Sequence, residues 1–223
     1  MDKIIKNDYK LIIFDFDGTL VDSVPSIHKT ANIMAKQYGM KPISIKKVKT
    51  AVGAGLSRFL EDIFREVIKR YGIEKVKSDY VKLYNKNFTY KIKTFSGVKK
   101  VLNKLKKNKI IMIILSNKLF YFIKKSCQYV GIYKFFKKII GRGDLKKDKP
   151  DAYPINYISK KYRINKKNIL LVGDSQYDAE CAARAGVDFF YLNYGYGDKN
   201  KTKKFKPTYI GEKMFDLLKV IKL

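Results

Sequence analysis

The chain has 223 residues, of which 46% are hydrophobic, and it carries a formal net charge of +29 at pH 7. This length and apolar content suffice for a globular protein with a sizeable core, so the composition excludes an intrinsically disordered chain. The longest aliphatic run, residues 110–115, is too short to cross a bilayer, and we therefore expect no membrane partner and a cytoplasmic location. Cys127 and Cys181 have neither the spacing of metal ligands nor that of a disulfide framework, and we interpret both as packing residues.

The large positive charge is compatible with nucleic-acid binding, because neutralisation of phosphates drives non-specific association. Two features argue against that interpretation. Only six of the 49 basic residues are arginine, which base and phosphate recognition favours, and the lysines are scattered along the chain. They accompany many Ile, Asn, Tyr and Phe residues, whose codons are AT-rich, so a biased genome composition is the simpler explanation. A non-enzymatic module that binds nucleic acid through its basic surface is the alternative of a different class.

Apolar segments of strand length recur along the chain, and in its later part they alternate with helical patterns. The predicted strands cover residues 11–16, 110–115, 138–140, 169–172 and 187–192. The predicted helices cover residues 97–107, 119–130, 150–162 and 175–185. Residues 199–206 predict a charged loop, and the tail predicts a final amphipathic helix. Strands that alternate with helices predict a parallel sheet covered on both faces, which is an α/β fold.

The stretch after the first strand breaks this alternation. Residues 22–93 contain several helical runs, such as 27–38 and 56–71, and no convincing strand. We therefore expect a separate helical domain of residues 22–93, inserted into a core domain that residues 1–21 and 94–223 form.

Two aspartates end the first apolar run. Side chains of a strand alternate between its faces, so Asp15 and Asp17 point to one side while Phe14 and Phe16 take the other. Gly18 then permits a sharp turn, which leaves both carboxylates at the carboxyl end of a buried strand, where open α/β sheets bind their ligands. Two carboxylates so close together repel each other, and such a pair usually holds a cation or shares a proton.

Polar residues also follow later strands. Ser116 and Asn117 close the second strand, where a hydroxyl and an amide can donate to a phosphoryl oxygen, although the same pair suits a plain helix cap. Lys118 begins the next helix, whose free amides favour an anion. Lys149 precedes Pro150, which holds the lysine in an extended conformation just ahead of a helix. Its ammonium can neutralise a transferring group there, and the alternative is an ordinary surface lysine.

The fourth strand leads into another acidic pair. Asp174 or Ser175 is a natural N-cap, and Asp178 lies one helical turn later on the same face. An aspartate in a first helical turn is also stabilised by the helix dipole without any ligand. Asp174 and Asp178 are nevertheless expected to converge with Asp15 and Asp17 above neighbouring strands. A hard divalent cation with oxygen ligands, namely Mg²⁺, relieves the repulsion among four carboxylates best.

These pieces, in this order, resemble the haloacid dehalogenase superfamily of phosphohydrolases. They are the sequence Asp-Phe-Asp-Gly-Thr-Leu-Val-Asp-Ser from Asp15, the pair Ser116-Asn117, the pair Lys149-Pro150, and Gly-Asp-Ser-Gln-Tyr-Asp at residues 173–178. The match spans nearly the whole chain. It implies a Rossmann-like α/β core with an inserted helical cap, similar to that of the phosphoglycolate phosphatase and β-phosphoglucomutase group.

The resemblance also implies roles for individual residues. Asp15 would attack phosphorus and form an aspartyl phosphate, and Asp17 would protonate the leaving oxygen and later accept a proton from water. Mg²⁺ would be bound by Asp15, the backbone carbonyl of Asp17 and Asp174. Asp178 would orient a metal-bound water or Lys149. The phosphoryl group would be held by three residues, Ser116, Asn117 and Lys149.

The substrate follows less directly from the motifs. Gly53 and Arg58 lie in a segment similar to the cap loop of phosphoglycolate phosphatases. This similarity implies that phosphoglycolate is the substrate and that these two residues contact it. The alternative is that the segment is only the start of a helix. Leu119 and Phe95-Ser96 replace prolines usual in those enzymes. His28 lies one position away from the acid-base histidine of a mutase, which disfavours that reaction. A pyrophosphatase or a sugar-phosphate phosphatase stays open, and in each case we expect a small phosphorylated metabolite as partner of a monomer or homodimer.

Overall fold

The computed structural model describes residues 7–223 of the chain. Its strands are β1 (Leu11–Phe14), β2 (Val21–Asp22), β3 (Lys93–Thr94), β4 (Ile111–Leu115), β5 (Lys138–Ile140), β6 (Ile169–Gly173), β7 (Asp188–Leu192) and β8 (Tyr209–Gly211). Its α-helices are α1 (Val24–Gln37), α2 (Ile45–Ala51), α3 (Leu56–Tyr71), α4 (Ile73–Asn87), α5 (Val98–Lys107), α6 (Phe120–Tyr129), α7 (Tyr153–Tyr162), α8 (Gln176–Ala185), α9 (Lys199–Lys203) and α10 (Leu217–Val220). Short 3-10 turns lie at Tyr133–Phe135, Lys166–Asn168 and Met214–Asp216.

Six of the strands form one sheet, in the order β5-β4-β1-β6-β7-β8, and every neighbouring pair in it is parallel. Strand β1 lies in the middle, between β4 and β6. All its residues are buried, because Ile12 and Phe14 pack on one side of the sheet and Leu11 and Ile13 on the other. A strand covered on both faces has no polar side, which explains the uninterrupted apolar run. The predicted α/β fold with a Rossmann-like parallel sheet is confirmed.

Helices form a layer on each face of this sheet. The apolar sides of α5 and α6 pack on one face, and those of α7 and α8 on the other. Cys127 and Cys181 are buried free thiols, one in each layer, as their interpretation as packing residues requires. Because the sheet is parallel, the carboxyl ends of β1, β4 and β6 lie side by side, and the residues that follow them meet at one edge.

The short strands β2 and β3 pair with each other in antiparallel fashion and bracket the helical insertion. The helices α1–α4 between them pack around an apolar cluster of their own, which Phe122 of α6 joins from the core. We therefore propose the division that the sequence suggests, with a cap of residues 22–93 and a core of residues 1–21 and 94–223. Residues 1–6 of that core lie outside the described part.

The C-terminal part differs from the sequence prediction. Residues 199–206, predicted as a loop, begin with α9, because the Asp198 side chain caps that helix by accepting hydrogen bonds from the backbone N–H groups of Asn200 and Lys201. Strand β8 has no counterpart in the prediction, since it is short and Ile210 in its middle is exposed. The predicted amphipathic helix of the tail is a 3-10 turn followed by the short helix α10.

Two other helices begin later than predicted. The helix expected to start at Pro150 starts at Tyr153, whose backbone N–H donates to the Asp151 side chain at 2.7 Å. Lys149 is therefore held by a loop and not by the start of a helix. Helix α6 begins at Phe120. Between residues 7 and 223, no helix combines the length and the apolar character that a membrane span requires.

Candidate active site

Asp15 lies at the centre of the site, directly after the middle strand β1. Its backbone N–H donates to the carbonyl oxygen of Val172 in β6 at 2.9 Å, which continues the pairing of the two strands. Its carboxylate is buried, and Lys149 Nζ donates to its Oδ1 at 2.6 Å. The aspartate therefore has a fixed orientation and a cationic neighbour.

Two further carboxylates meet Asp15 at this edge of the sheet. Asp174 follows β6, Asp178 lies in the first turn of α8, and both are buried. One oxygen from each of Asp15, Asp174 and Asp178 lies within 4.8 Å of the others. Lys149 Nζ also donates to Asp178 Oδ1 at 2.5 Å, so that it bridges two of the three carboxylates. Residues from three distant stretches of the chain thus form one cluster.

The charges of this cluster do not balance, because Lys149 is the one ammonium that the described residues place against three buried carboxylates. Burial raises the pKa of Asp15 to about 6, although Lys149 acts against it. Burial, together with the charges of Asp15 and Asp178, raises the pKa of Asp174 to about 8. Burial alone would lower the pKa of Lys149, but the two carboxylates outweigh it and the net shift is upward. Additional positive charge would relieve this imbalance, so the oxygen donors fit a hard divalent cation.

Neighbouring groups hold Asp174 in place. Thr19 Oγ1 donates to its Oδ1 at 2.7 Å, and the backbone N–H groups of Tyr196 and Gly197 donate to its Oδ2 at 2.7 and 3.3 Å. Gly18 has a φ of +89°, and a Cβ at this position would overlap the Asp174 carboxylate. The sequence predicts the turn at Gly18. It does not predict the contacts of Thr19 and Tyr196, because no spacing rule links either residue to Asp174.

Asp17 points into the same cavity as Asp15, but its carboxylate lies outside the three-aspartate cluster. Lys118 Nζ donates to its two oxygens at 2.9 and 3.1 Å, and the Ser23 hydroxyl donates to Oδ1. The prediction that four carboxylates converge is therefore wrong for the fourth side chain, because Lys118 provides a separate counter-charge. Lys118 precedes α6 and turns its side chain inward, where the sequence suggested only a helix start. Nothing in its local pattern distinguishes it from the many surface lysines.

Ser116 and Asn117 have different environments. Ser116 is buried, and its side chain lines the cavity beside Asp15. Asn117 Nδ2 donates to the backbone carbonyls of Gly53 and Lys149, each at 3.0 Å. The amide hydrogens predicted to bind phosphate thus connect the cap loop to the loop of Lys149. The remaining oxygen, Oδ1, is buried without a partner among residues 7–223.

The two cap residues predicted to contact the substrate, Gly53 and Arg58, lie in different places. Gly53 lines the cavity. The Arg58 side chain is 60% exposed and pairs with Glu61 and Asp62, one turn further along α3. The structure does not bring Arg58 to the cavity, because residues at these spacings share the solvent face of the helix. Arg142 of the core instead reaches the cap loop and donates from Nη1 to the carbonyl of Ala54 at 2.9 Å.

The cavity between cap and core has a volume of about 80 Å³. Asp15, Asp17, Ser116 and Lys118 line it on the core side, and its cap side is mostly apolar. His28 contributes nothing to this lining and instead bonds through Nε2 to the carbonyl of Ile43 at 2.9 Å, within the cap.

Fold and site together describe an α/β protein with a Rossmann-like parallel sheet, in which a buried cluster of aspartates lies at the edge of the sheet that faces a helical cap. Residues 12–192 match the haloacid dehalogenase-like hydrolase family. Because that match covers most of the chain, the protein belongs to this family.

Individual proteins of known sequence or structure show which members of this family the chain resembles. The chain is 28% identical over 208 residues to a phosphoglycolate phosphatase of Psychrobacter arcticus, with 90% of each sequence covered. It is 30% identical to a phosphoglycolate phosphatase of Neisseria gonorrhoeae, over 84% of this chain and 81% of that protein. The crystal structure of a predicted phosphoglycolate phosphatase from Haemophilus somnus superposes with a TM-score of 0.89 at 29% identity, covering 95% of this chain and 97% of that one. A haloacid dehalogenase-like family hydrolase from Streptococcus pneumoniae, 22% identical with a TM-score of 0.83 and coverage of 94% and 97%, shares the fold.

Proposed function

We propose that the protein is a Mg²⁺-dependent phosphatase that hydrolyses a small phosphomonoester, with phosphoglycolate as the preferred substrate, through an aspartyl-phosphate intermediate. The observation that carries the proposal is the buried cluster of Asp15, Asp174, Asp178 and Lys149, where a nucleophile, oxygen donors for a cation and an ammonium group lie together. The names of the similar proteins support the same reaction.

In the first step, a carboxylate oxygen of Asp15 forms a bond to phosphorus while the bond from phosphorus to the leaving oxygen breaks. Asp17 gives a proton to that oxygen, so that the organic product leaves as an alcohol. Lys149 lies against Asp15, and Ser116 lines the same cavity, so both are placed to bind the phosphoryl oxygens. The step leaves an aspartyl phosphate at Asp15.

In the second step, water attacks phosphorus, Asp17 accepts a proton from that water, and the bond from phosphorus to Asp15 breaks. Inorganic phosphate leaves and the free carboxylate returns. Asp15, the backbone carbonyl of Asp17 and Asp174 would hold Mg²⁺, while Asp178 keeps Lys149 in position. When bound, the ion supplies positive charge to the phosphoryl oxygens.

The size of the cavity favours a small leaving group. A volume of about 80 Å³ is smaller than the ~150 Å³ that accommodates one benzene molecule in a protein core. The two-carbon glycolate fits this space better than a sugar does, which argues against a sugar-phosphate phosphatase. A mutase is also disfavoured, because His28 is bonded inside the cap and does not line the cavity.

The proposal is tested by phosphate release from phosphoglycolate and p-nitrophenyl phosphate, with and without Mg²⁺. We expect Asp15→Asn to reduce turnover of both substrates at least a thousandfold, because the amide is a poor nucleophile, and we expect chelation of the metal to abolish turnover of the wild type. Asp8→Asn is the matched control, since the Asp8 side chain is 56% exposed and is not part of the cavity lining. Undiminished turnover by Asp15→Asn would refute the nucleophile.

A basic nucleic-acid-binding module remains the alternative of a different class. It predicts tight, salt-sensitive binding of duplex DNA that Asp15→Asn does not alter, together with no phosphatase activity. A buried cluster of carboxylates has no role in such binding, so the site favours the enzyme.

A further inference from the structure

We infer that Lys118 and the hydroxyl group of Tyr84 form a subsite for a carboxylate on the leaving group. The substrate class is then phosphate esters that carry a carboxylate on the same carbon as the ester oxygen. This inference rests on the proposed function, because it assigns the leaving group of that reaction to one side of the cavity.

Lys118 occupies an unusual position for a lysine of this chain. Its side chain is 10% exposed, and Nζ lies 2.9 Å from the Tyr84 hydroxyl and 2.9 and 3.1 Å from the carboxylate oxygens of Asp17. Among the described residues that line the cavity, it is the one with a positive charge. The two other charged residues of the lining, Asp15 and Asp17, are acidic and would repel an anion.

The rest of the cavity offers a carboxylate mostly apolar surface and no second cationic side chain among the described residues. The cap side is formed mostly by apolar and aromatic side chains, which include Ile27, Val52, Leu56 and Phe59, and Phe122 of the core lies beside them. An ionised carboxylate against such a wall would lose its hydration without compensation, which is costly. With the phosphoryl group at Asp15 and Lys149, a charged leaving group is therefore directed toward Lys118.

Asp17 sets the distance between the leaving oxygen and Lys118, because it contacts both. A leaving oxygen that receives a proton from Asp17 lies about 2.7 Å from one of its carboxylate oxygens, and Lys118 Nζ is 2.9 Å from the same carboxylate. The leaving oxygen and Nζ are then about 5 Å apart. A carboxylate bonded to the carbon that bears the ester oxygen places one of its oxygens about 3 Å from that ester oxygen, within hydrogen-bond reach of Nζ. One further methylene group would move the carboxylate past Nζ toward the apolar wall.

Tyr84 makes this subsite depend on the cap. The residue belongs to α4, its ring packs against Tyr80 and Phe122, and its hydroxyl lies 3.4 Å from Ser26 Oγ. Packing on both sides fixes the hydroxyl beside Lys118. Core and cap therefore each contribute one group, and the subsite is complete only when the cap covers the core.

The test compares three substrates: phosphoglycolate, ethyl phosphate, which lacks the carboxylate, and 3-phosphooxypropionate, in which the carboxylate lies one carbon further away. In the wild type we expect kcat/KM for phosphoglycolate to exceed that for the other two by about 100-fold, the range of a hydrogen bond to a charged group. In Lys118→Met we expect this ratio to fall to about 1, mainly through a higher KM for phosphoglycolate. Lys125→Met, at an exposed position of α6, is the matched control and should retain the wild-type ratio.

Two further variants separate recognition from a general disturbance of Asp17. Tyr84→Phe keeps the ring and should lower the ratio about tenfold, and Lys118→Arg keeps the charge and should restore part of it. An equal loss of activity on phosphoglycolate and ethyl phosphate in Lys118→Met, or no wild-type preference for the carboxylate, would overturn the subsite. Either result leaves the phosphatase reaction intact as long as Asp15→Asn remains inactive, although the second also removes the preference for phosphoglycolate. Failure of the subsite and failure of the phosphatase reaction are therefore distinguishable.

Discussion

Asp174 shows how strongly the candidate site depends on burial at the level of single residues. In solution an aspartate titrates near 3.8, but burial and two neighbouring carboxylates raise the pKa of Asp174 to about 8 when no cation balances them. The folded, metal-free protein therefore binds more protons than the unfolded chain between these two pH values. Under that condition the free energy of unfolding decreases as the pH rises.

We expect the free energy of unfolding in EDTA to fall by about 2 kcal/mol between about pH 5 and pH 8, within the limit of ~1.4 kcal/mol per pH unit that one proton sets. Excess Mg²⁺ should remove most of this decrease, because an ion that binds only the folded state stabilises it. Urea unfolding at each pH measures the effect.

Asp174→Asn provides the control for this pH dependence. The amide oxygen can still accept from the backbone of Tyr196, and the amide nitrogen can donate to the Thr19 hydroxyl, so the variant keeps the hydrogen bonds without the charge. It should be more stable than the wild type at pH 8 in EDTA and should show a flatter pH profile. A metal-free wild type whose stability increases from pH 5 to pH 8 would contradict the raised pKa.

The sequence predicts those site residues that local rules place, and it misses those that depend on the fold. Asp15, Asp174 and Asp178 follow strand ends or lie one helical turn apart, and the structure brings them together as expected. The side-chain contacts of Lys118 and Thr19 escape prediction, because no spacing or neighbour rule points from either residue to its partner.

At the level of elements, the loop before α3 connects the cap to the core. Its carbonyls at Gly53 and Ala54 accept hydrogen bonds from Asn117 and Arg142 of the core. Gly55 follows with a φ of +89°, and a Cβ there would overlap the Arg142 guanidinium. These hydrogen bonds hold the loop of the cap against the core.

We expect Gly55→Ala to lower kcat/KM for phosphoglycolate about tenfold, because the new methyl group displaces Arg142 and loosens the loop. Gly72→Ala is the matched control, since Gly72 has a similar φ of +79° at the start of α4 and nothing within 4 Å of a Cβ. Both changes should destabilise the fold by about 1–3 kcal/mol through backbone strain. Steady-state kinetics and thermal unfolding of the pair test this. Equal activity of both variants would show that the contact with the core is dispensable.

Elements with strong periodicity were predictable, and short ones were not. The pattern for residues 56–71 matches α3, because a long amphipathic helix repeats its apolar spacing several times. Strand β8 and helix α9 are too short to repeat an apolar spacing. Helix α9 forms where the run of lysines predicted a loop, because the Asp198 side chain caps its first turn.

For the molecule as a whole, the alternation of strands and helices predicts the layers of the core but not how the cap sits on it. Strand β1, which is buried on both faces, lies between β4 and β6 in the sheet. The cap position depends on single contacts such as Tyr84 with Lys118, which join residues of separate elements. Such contacts have no sequence signature. The exposed Arg58 shows that a loop can resemble that of a known family in sequence while one of its side chains points to solvent and not to the cavity.

The central claim is that Asp15 becomes phosphorylated during turnover. Borohydride reduces an acyl phosphate to the alcohol, so quenching the reaction of phosphoglycolate and Mg²⁺ with borohydride should convert Asp15 to homoserine, and peptide mass spectrometry identifies the residue. We expect the conversion at Asp15 alone, only when substrate is present, and not in Asp15→Asn. Substrate turnover with Asp15 unmodified, or conversion of another aspartate in its place, would contradict the account.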